Sequence, residues 1–544
     1  MRKILPWFCL LLLLLCRVSA QAARSSRGSQ VSDSSSWESE ERKVTQLLAQ
    51  GAASPGAERV FYQIFPGSFS DSDGDGIGDL RGILRRFDYL NDGNPGSKTS
   101  LGIQGLWLNP VFASPSYHKY DVTDYYAIDP DFGTMEDLQE LIGLCRERDV
   151  LLILDLPLNH TSREHPWFQR FAAARAAGDE EDPFYNWYLC YPKDDLPSGH
   201  TCHPLEGTDF CYEGNFSSGM PELNFDQEPV RQEALNIAKF YLDLGVDGFR
   251  FDAAKYIYFG DHARSAAFWQ WYTGELRSLK ADIWLVAEVW ESDPAVEPYL
   301  SAMNCFNFTM ASAEGRIASA AAGGSATRYT AYVENYLQTL KEINPGAFPV
   351  PFLSNHDMDR AAGFLPDSNG RARVAANLYL LGPGAPFIYY GEEIGLRGSR
   401  GGAETDANRR LAMRWGDGDT VRDPVGADYT KQTEATVASQ LAQENSLLHY
   451  YRRLIAIRRA WPEIARGTYQ ALPLEDTKLG GFIATWEGRS VLILHNTTGK
   501  PLTLELKDPL LAGFRTVGTY IGLGTAALEG DMLTLGGQTS VLLE

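Results

Sequence analysis

Eight short apolar runs recur along the middle of the chain, and several are parted by stretches with helical periodicity. They are VFYQIFP (60–66), IQGLWLNP (103–110), VLLILDLPLNH (150–160), VDGFRFD (246–252), IWLVAEVW (283–290), NCFNF (304–308), PVPFLSNHD (349–357) and APFIYYG (385–391). Between them, TMEDLQELIGLCRERD (134–149) sets a Thr cap before apolar residues at helical spacing, and PVRQEALNIAKFYLDLG (229–245) opens with Pro and closes with Gly. Runs this apolar read as strands buried on both faces, the mark of a parallel sheet covered by helices. Their number predicts a closed (β/α)8 TIM barrel in preference to an open doubly wound sheet. No G-x-G-x-x-G follows the first run, which argues against a dinucleotide fold.

The barrel is expected to occupy 51–160 and 227–462. Residues 161–226, rich in Pro, Gly, Cys and aromatics, read as a subdomain inserted after the third strand. From 463 to 544 the pattern changes to short alternating strands with turns, including GGFIATWEG, SVLILHNTTG and PLTLELKD, which predicts a C-terminal all-β sandwich. The first 22 residues, MRKILPWFCLLLLLLCRVSAQA, have the basic start, apolar run and small-residue cleavage sites of a signal peptide. An exported protein is expected, secreted or periplasmic. Lipid attachment at Cys16 is a weaker option, because the preceding Leu-Leu-Leu is a poor match to such sites. Residues 23–50 are Ser-rich and charged, and are expected to be disordered. Export permits disulfides, and Cys190, Cys202 and Cys211 cluster so that at least one bridge is expected there, with its pairing open.

The chain has 544 residues, 44% of them hydrophobic, and a formal net charge of −21. That charge argues against nucleic acid or an anionic membrane as partner. No membrane span is expected once the signal is removed, and a monomer is expected.

Polar residues gather at the strand ends, where barrel enzymes keep their chemistry. The third strand ends in Asp155, Asn159 and His160, the fourth in Arg250 and Asp252, the fifth in Glu288, and the seventh in Asn355, His356 and Asp357. One Asp alone would read as a helix cap, and one His as a satisfied core residue. Three acids, two His and an Arg from different strands are not explained that way. Arg250 and Asp252 lie two apart on one face of an apolar strand, and burying such charges is costly unless they are paired. Retaining glycoside cleavage needs one carboxylate as nucleophile and one carboxylic acid as proton donor. A third carboxylate can stabilise the positive transition state, and an Arg beside the nucleophile favours its charged form.

The motifs DLPLNH, GFRFDAAKY, AEVW and FLSNHD resemble the four short regions shared across the α-amylase family, glycoside hydrolase family 13, in order and at barrel spacing. The resemblance covers residues 58 to 544. It implies Asp252 as nucleophile, Glu288 as general acid/base and Asp357 as transition-state stabiliser. It places Tyr120, His160, Arg250 and His356 around the attacked sugar, with Arg410 and Lys255 as further substrate contacts. DSDGDGIGDLRG (71–82) alternates Asp with Gly like a Ca2+ loop, but Gly82 stands where an EF-hand needs Glu. It resembles the metal loop after the first strand in oligo-1,6-glucosidase-like relatives. That implies a structural Ca2+ held by Asp71, Asp73, Asp75, Asp79 and the Ile77 carbonyl. A second calcium near Asn159 is left open.

MPELN (220–224) resembles a signature between the oligo-1,6-glucosidase and neopullulanase types. Ala253 after the nucleophile favours α-1,4 over α-1,6 links, and Lys255 with Tyr256 partly matches a Lys-His pair of α-amylases. The expected activity is an exported α-amylase acting on starch or maltodextrins. The alternatives are an α-glucosidase, a cyclomaltodextrinase or a transglycosylase on short malto-oligosaccharides. Non-catalytic relatives that serve as membrane-anchored partners of amino-acid transporters resemble the fold but lack the three acids, which this chain retains.

Overall fold

The structure, a computed structural model, describes residues 34–49 and 58–544. The expected signal peptide, with Cys9 and Cys16, lies outside the described residues. The leader expected to be disordered contains the helix Ser34–Ala49. Its sequence is rich in Glu, Arg, Lys, Gln and Leu, all good helix formers, and Val44 and Leu48 are four apart, which places them on one face. Its Ser-rich start masked that pattern.

The central sheet is parallel. Its strands are β1 (Phe61–Ile64), β2 (Gly105–Leu108), β3 (Leu151–Leu156), β4 (Gly248–Phe251), β5 (Trp284–Ala287), β6 (Asn304–Cys305) and β7 (Phe387–Tyr389). They pair in the order β6-β5-β4-β3-β2-β1-β7. Residues 350–352 complete the ring through single bridges, Val350 to Phe306 beyond β6 and Phe352 to Phe387 of β7. That closes the (β/α)8 barrel, with each of the eight apolar runs supplying one member. The helix Met135–Glu147 begins with a capping box between Thr134 and Asp137. The helix Glu228–Leu244 ends at Gly245, whose φ of 110° only glycine adopts cheaply.

Large aromatics fill the inside of the barrel. Phe61 stacks on Phe387 at 4.6 Å and lies 4.3 Å from Trp284, while Trp107 lies 5.4 Å from Phe306. Val286, Val350 and Phe352 join the same core. Glycines make room for it at two strand positions. A Cβ on Gly105 would sit 2.4 Å from the Phe61 ring, and one on Gly248 would sit 1.7 Å from the Trp284 carbonyl oxygen.

After β3, the chain forms the helix Pro166–Ala177 and a three-stranded antiparallel sheet of Cys190–Pro192, Cys202–Pro204 and Phe210–Glu213. Cys202 and Cys211 form a disulfide across that sheet, while Cys145, Cys190 and Cys305 are free thiols. The C-terminal part packs a five-stranded antiparallel sheet against a three-stranded one around Leu492, Leu494, Leu533, Leu535 and Val541. Among the described residues, no helix is long and apolar enough to cross a membrane.

The Gly248 contact yields a test. Gly248→Ala drives a methyl into the backbone of β5, so β4 and β5 cannot keep their pairing. We expect a loss of at least about 3 kcal/mol of stability, read as a lower thermal midpoint or insoluble expression. An unchanged midpoint would contradict the register.

Candidate active site

The β3–β4–β5 register sets the chemistry. Asp155 pairs with Arg250 across β3 and β4, and Arg250 pairs with Val286 across β4 and β5. Asp252 and Glu288 directly follow β4 and β5. The Arg250 side chain is fully buried and lies over the Trp107 ring at 5.2 Å. Its Nη1 donates to Asp155 Oδ1 at 2.7 Å and to Asp252 Oδ1 at 2.6 Å, and its Nη2 donates to Glu288 Oε2. One guanidinium therefore serves three carboxylates from three strands.

A single positive charge cannot hold three buried acids fully ionised at no cost, and the protonation behaviour shows it. Burial pushes the Glu288 carboxyl up to about 8, with Arg250 opposing and the Asp252 and Asp357 charges adding to the rise. Burial likewise pushes Asp155 up to about 7, again against Arg250. Asp357 goes the other way. Burial alone would raise it, but His356, Arg410 and Arg250 outweigh that and hold it down at about 2. Arg410 donates from Nη2 to Asp357 Oδ1 at 2.7 Å and from Nε to the His356 carbonyl at 3.0 Å.

A buried hydrogen-bond chain fixes the Tyr120 and His356 rings. Gln63 Nε2 donates to Asn109 Oδ1 and to His356 Nδ1, both at 2.9 Å. Burial lowers the His356 pKa well below the usual range, with the adjacent Asp357 carboxylate opposing that shift. With Nδ1 accepting, the proton sits on Nε2, which lies 2.5 Å from the Tyr120 hydroxyl and 3.1 Å from Asp357 Oδ2. Tyr120 in turn donates to Asp155 Oδ2 at 2.8 Å, and its ring lies parallel to His356. His160 is buried after β3 beside Phe216 and is held neutral by burial.

The structure thus brings Asp252, Glu288, Asp357, Tyr120, His160, Arg250, His356 and Arg410 to one end of the barrel. Lys255 stands apart from the acids: its Nζ is spent on the Trp290 carbonyl at 3.1 Å and on Glu291 at 2.7 Å. Reasoning from the sequence missed Gln63, Asn109 and Tyr117, the last accepting from Arg410 Nη1 at 3.1 Å. Gln63 and Asn109 carried the same signal as Arg250, a polar residue inside an apolar run.

In the Asp–Gly loop after β1, carboxylate oxygens of Asp71, Asp73 and Asp79 come within 4.8 Å of one another. This set of hard oxygen donors fits a divalent cation. The group does not include Asp75, whose Oδ1 accepts from the Ile77 amide at 2.7 Å. Asp71, Asp73 and Asp79 accept backbone amides of the same loop in the same way.

A groove of about 770 Å³ adjoins Asp357, lined further by Trp290, Phe364, Arg397, Arg409 and Tyr429. Trp290 is 44% exposed and stacks on Phe308 at 4.9 Å. Braced from behind by Phe308, Trp290 presents a flat exposed face to the groove.

A family model described as Alpha amylase, catalytic domain, matches residues 63–467. Alpha-amylase 3 of Dictyoglomus thermophilum is 34% identical over 80% of this chain and 84% of its own length. An oligo-1,6-glucosidase of Parageobacillus thermoglucosidasius is 28% identical over 84% of this chain and 92% of its own length. The solved structure of Eubacterium rectale Amy13B superposes with a TM-score of 0.84 at 32% identity, covering 92% of this chain and 98% of that one.

Removing the shared cation tests the geometry. Arg250→Gln leaves three buried acids without a countercharge. We expect about 3–5 kcal/mol of lost stability at neutral pH, measured by denaturant unfolding. A loss below about 1 kcal/mol would mean the cluster does not depend on Arg250.

Proposed function

The chain belongs to the α-amylase family of glycosidases, and from that premise we propose that it hydrolyses α-1,4-glucosidic bonds of starch or maltodextrins with retention. The observation carrying this reading is the sharing of one guanidinium between Asp252 and Glu288. Two carboxyl groups bonded to the two ends of one Arg stay close, as a covalent glycosyl-enzyme route requires. Asp252 attacks the anomeric carbon and Glu288, still protonated near neutral pH, donates to the leaving oxygen. Glu288 then takes the proton from the water that releases the sugar. Asp357, held ionised, faces the positive charge of the transition state. Tyr120 lies under the sugar ring, and His356, His160 and Arg410 bind its hydroxyls.

The open groove beside Asp357, with Trp290 on its wall, supports a long substrate and internal cleavage. Asp71, Asp73 and Asp79 would hold the Ca2+ that the loop resembles, supplying a fixed positive charge that ties the loop together. The disulfide and the N-terminal pattern support export.

Product analysis decides between modes of action. With maltoheptaose blocked at its non-reducing end, we expect cleavage that Asp252→Asn abolishes, at least about 10⁴-fold. Inertness on it, with glucose released from maltose, would mean an exo-acting α-glucosidase.

The protonation of Glu288 sets the pH dependence. The acid must be protonated to donate, so kcat/KM should fall about tenfold per unit once pH passes about 8. A profile flat to pH 10 would contradict Glu288 as the acid.

A further inference from the structure

We propose that residues 410–423 form a strap through which the Asp–Gly loop after β1 positions Asp357, with Asp419 and Thr420 as positioning residues. The inference rests on the reading of Asp357 given above and extends it to residues that touch no substrate.

One end of the strap is Arg410, which grips both the Asp357 carboxylate and the His356 carbonyl. The other end lies along the loop. Met413 N donates to the Ser68 carbonyl at 2.8 Å, and Trp415 Nε1 donates to the Phe69 carbonyl at 2.5 Å. Asp419, whose side chain is only 2% exposed, accepts from Ser70 Oγ at 2.6 Å and from the Asp71 amide at 3.2 Å. Thr420 Oγ1 donates to Asp71 Oδ2 at 2.7 Å. Arg422 N donates to the Gly76 carbonyl at 2.9 Å, and the Arg422 side chain covers Gly76 so closely that a Cβ there would lie 2.9 Å from it.

The strap is also tied to itself and to the barrel side. Ala412 N donates to Asp423 Oδ1 at 2.8 Å, so the segment closes on itself next to Arg410. Arg86 bonds Asp417 and Asp419 together and lies over the Trp415 ring at 4.2 Å. Every second or third residue of the strap is therefore fastened to the 68–79 loop or to its following helix. Only Leu411 and Ala412 separate Arg410 from the first of these fastenings, at Met413.

A competing anchor exists at the Arg410 end. Tyr389 and Arg360 donate to the Arg409 carbonyl, at 3.0 and 2.8 Å, and Tyr390 donates to the Leu411 carbonyl at 2.6 Å. If those three bonds alone fix Arg410, the far end of the strap affects stability and nothing else. The two accounts differ in what a distant substitution does to turnover.

The test uses Asp419→Asn and, as the milder change, Thr420→Val in the full chain at 25 °C. Backbone hydrogen exchange and steady-state kinetics on maltoheptaose are measured on each. Asp357 is assigned to the transition state, so a displaced Arg410 should lower kcat with KM kept within about twofold. Misplacement of a catalytic group by an ångström costs up to about 10²-fold, and we expect roughly tenfold here. Exchange should quicken at 410–423 and also at 355–358. Faster exchange that stops at residue 412, with kcat unchanged, would overturn the proposal. The exchange at 355–358 is read without substrate, so a failure of the glucan reading would leave this test intact. If Asp419→Asn does not fold, Thr420→Val decides by the same criteria.

Discussion

One buried guanidinium organises the active end of this barrel. A cation with no water around it is stable only among acids, and Arg250 has three of them, one each from β3, β4 and β5. The acids in turn depend on the cation, yet one charge is too few for all of them. That imbalance pushes both Asp155 and Glu288 up, Glu288 to about 8. Asp357 escapes it because Arg410 supplies a second cation from outside the barrel. Two carboxyls of opposite protonation thus arise from unequal access to positive charge.

The barrel beneath makes such a cluster affordable in packing terms. Phe61, Trp107, Trp284, Phe306 and Phe387 fill its interior, so the polar layer above rests on a dry floor. The same dryness strengthens each hydrogen bond in the Gln63–His356–Tyr120–Asp155 chain and makes any unpaired member costly. The Tyr120 and His356 rings are held at a fixed tilt by bonds within the protein itself.

Much of this was legible in the residues, for physical reasons. The eight strands show because a strand covered on both faces must be apolar throughout. The chemistry shows because a charged or polar residue inside such a run needs a partner, as with Arg250. Gln63 in VFYQIFP and Asn109 in WLNP carried the same mark, but nothing local reveals that Gln63 reaches His356 while Asn109 reaches Tyr120 and Asp155. The Cys202–Cys211 pairing depends on which strands of the insertion lie side by side, which three cysteines in a loop-rich stretch do not specify. The Asp–Gly alternation marked the loop, but spacing does not say that the carboxylates of Asp71, Asp73 and Asp79 come together. The helix Ser34–Ala49 was hidden by a polar composition that its helix-forming residues outweigh.

The central claim is that the Asp252–Glu288 pair, closed up by Arg250, works through attack by a carboxylate and not by a water placed between two distant acids. The most direct measurement is proton NMR of the first anomer released from blocked maltoheptaose, recorded before mutarotation. The α-anomer should form first and relax slowly towards the equilibrium mixture. Initial release of the β-anomer would mean a single displacement by water, and would contradict the role assigned to Asp252.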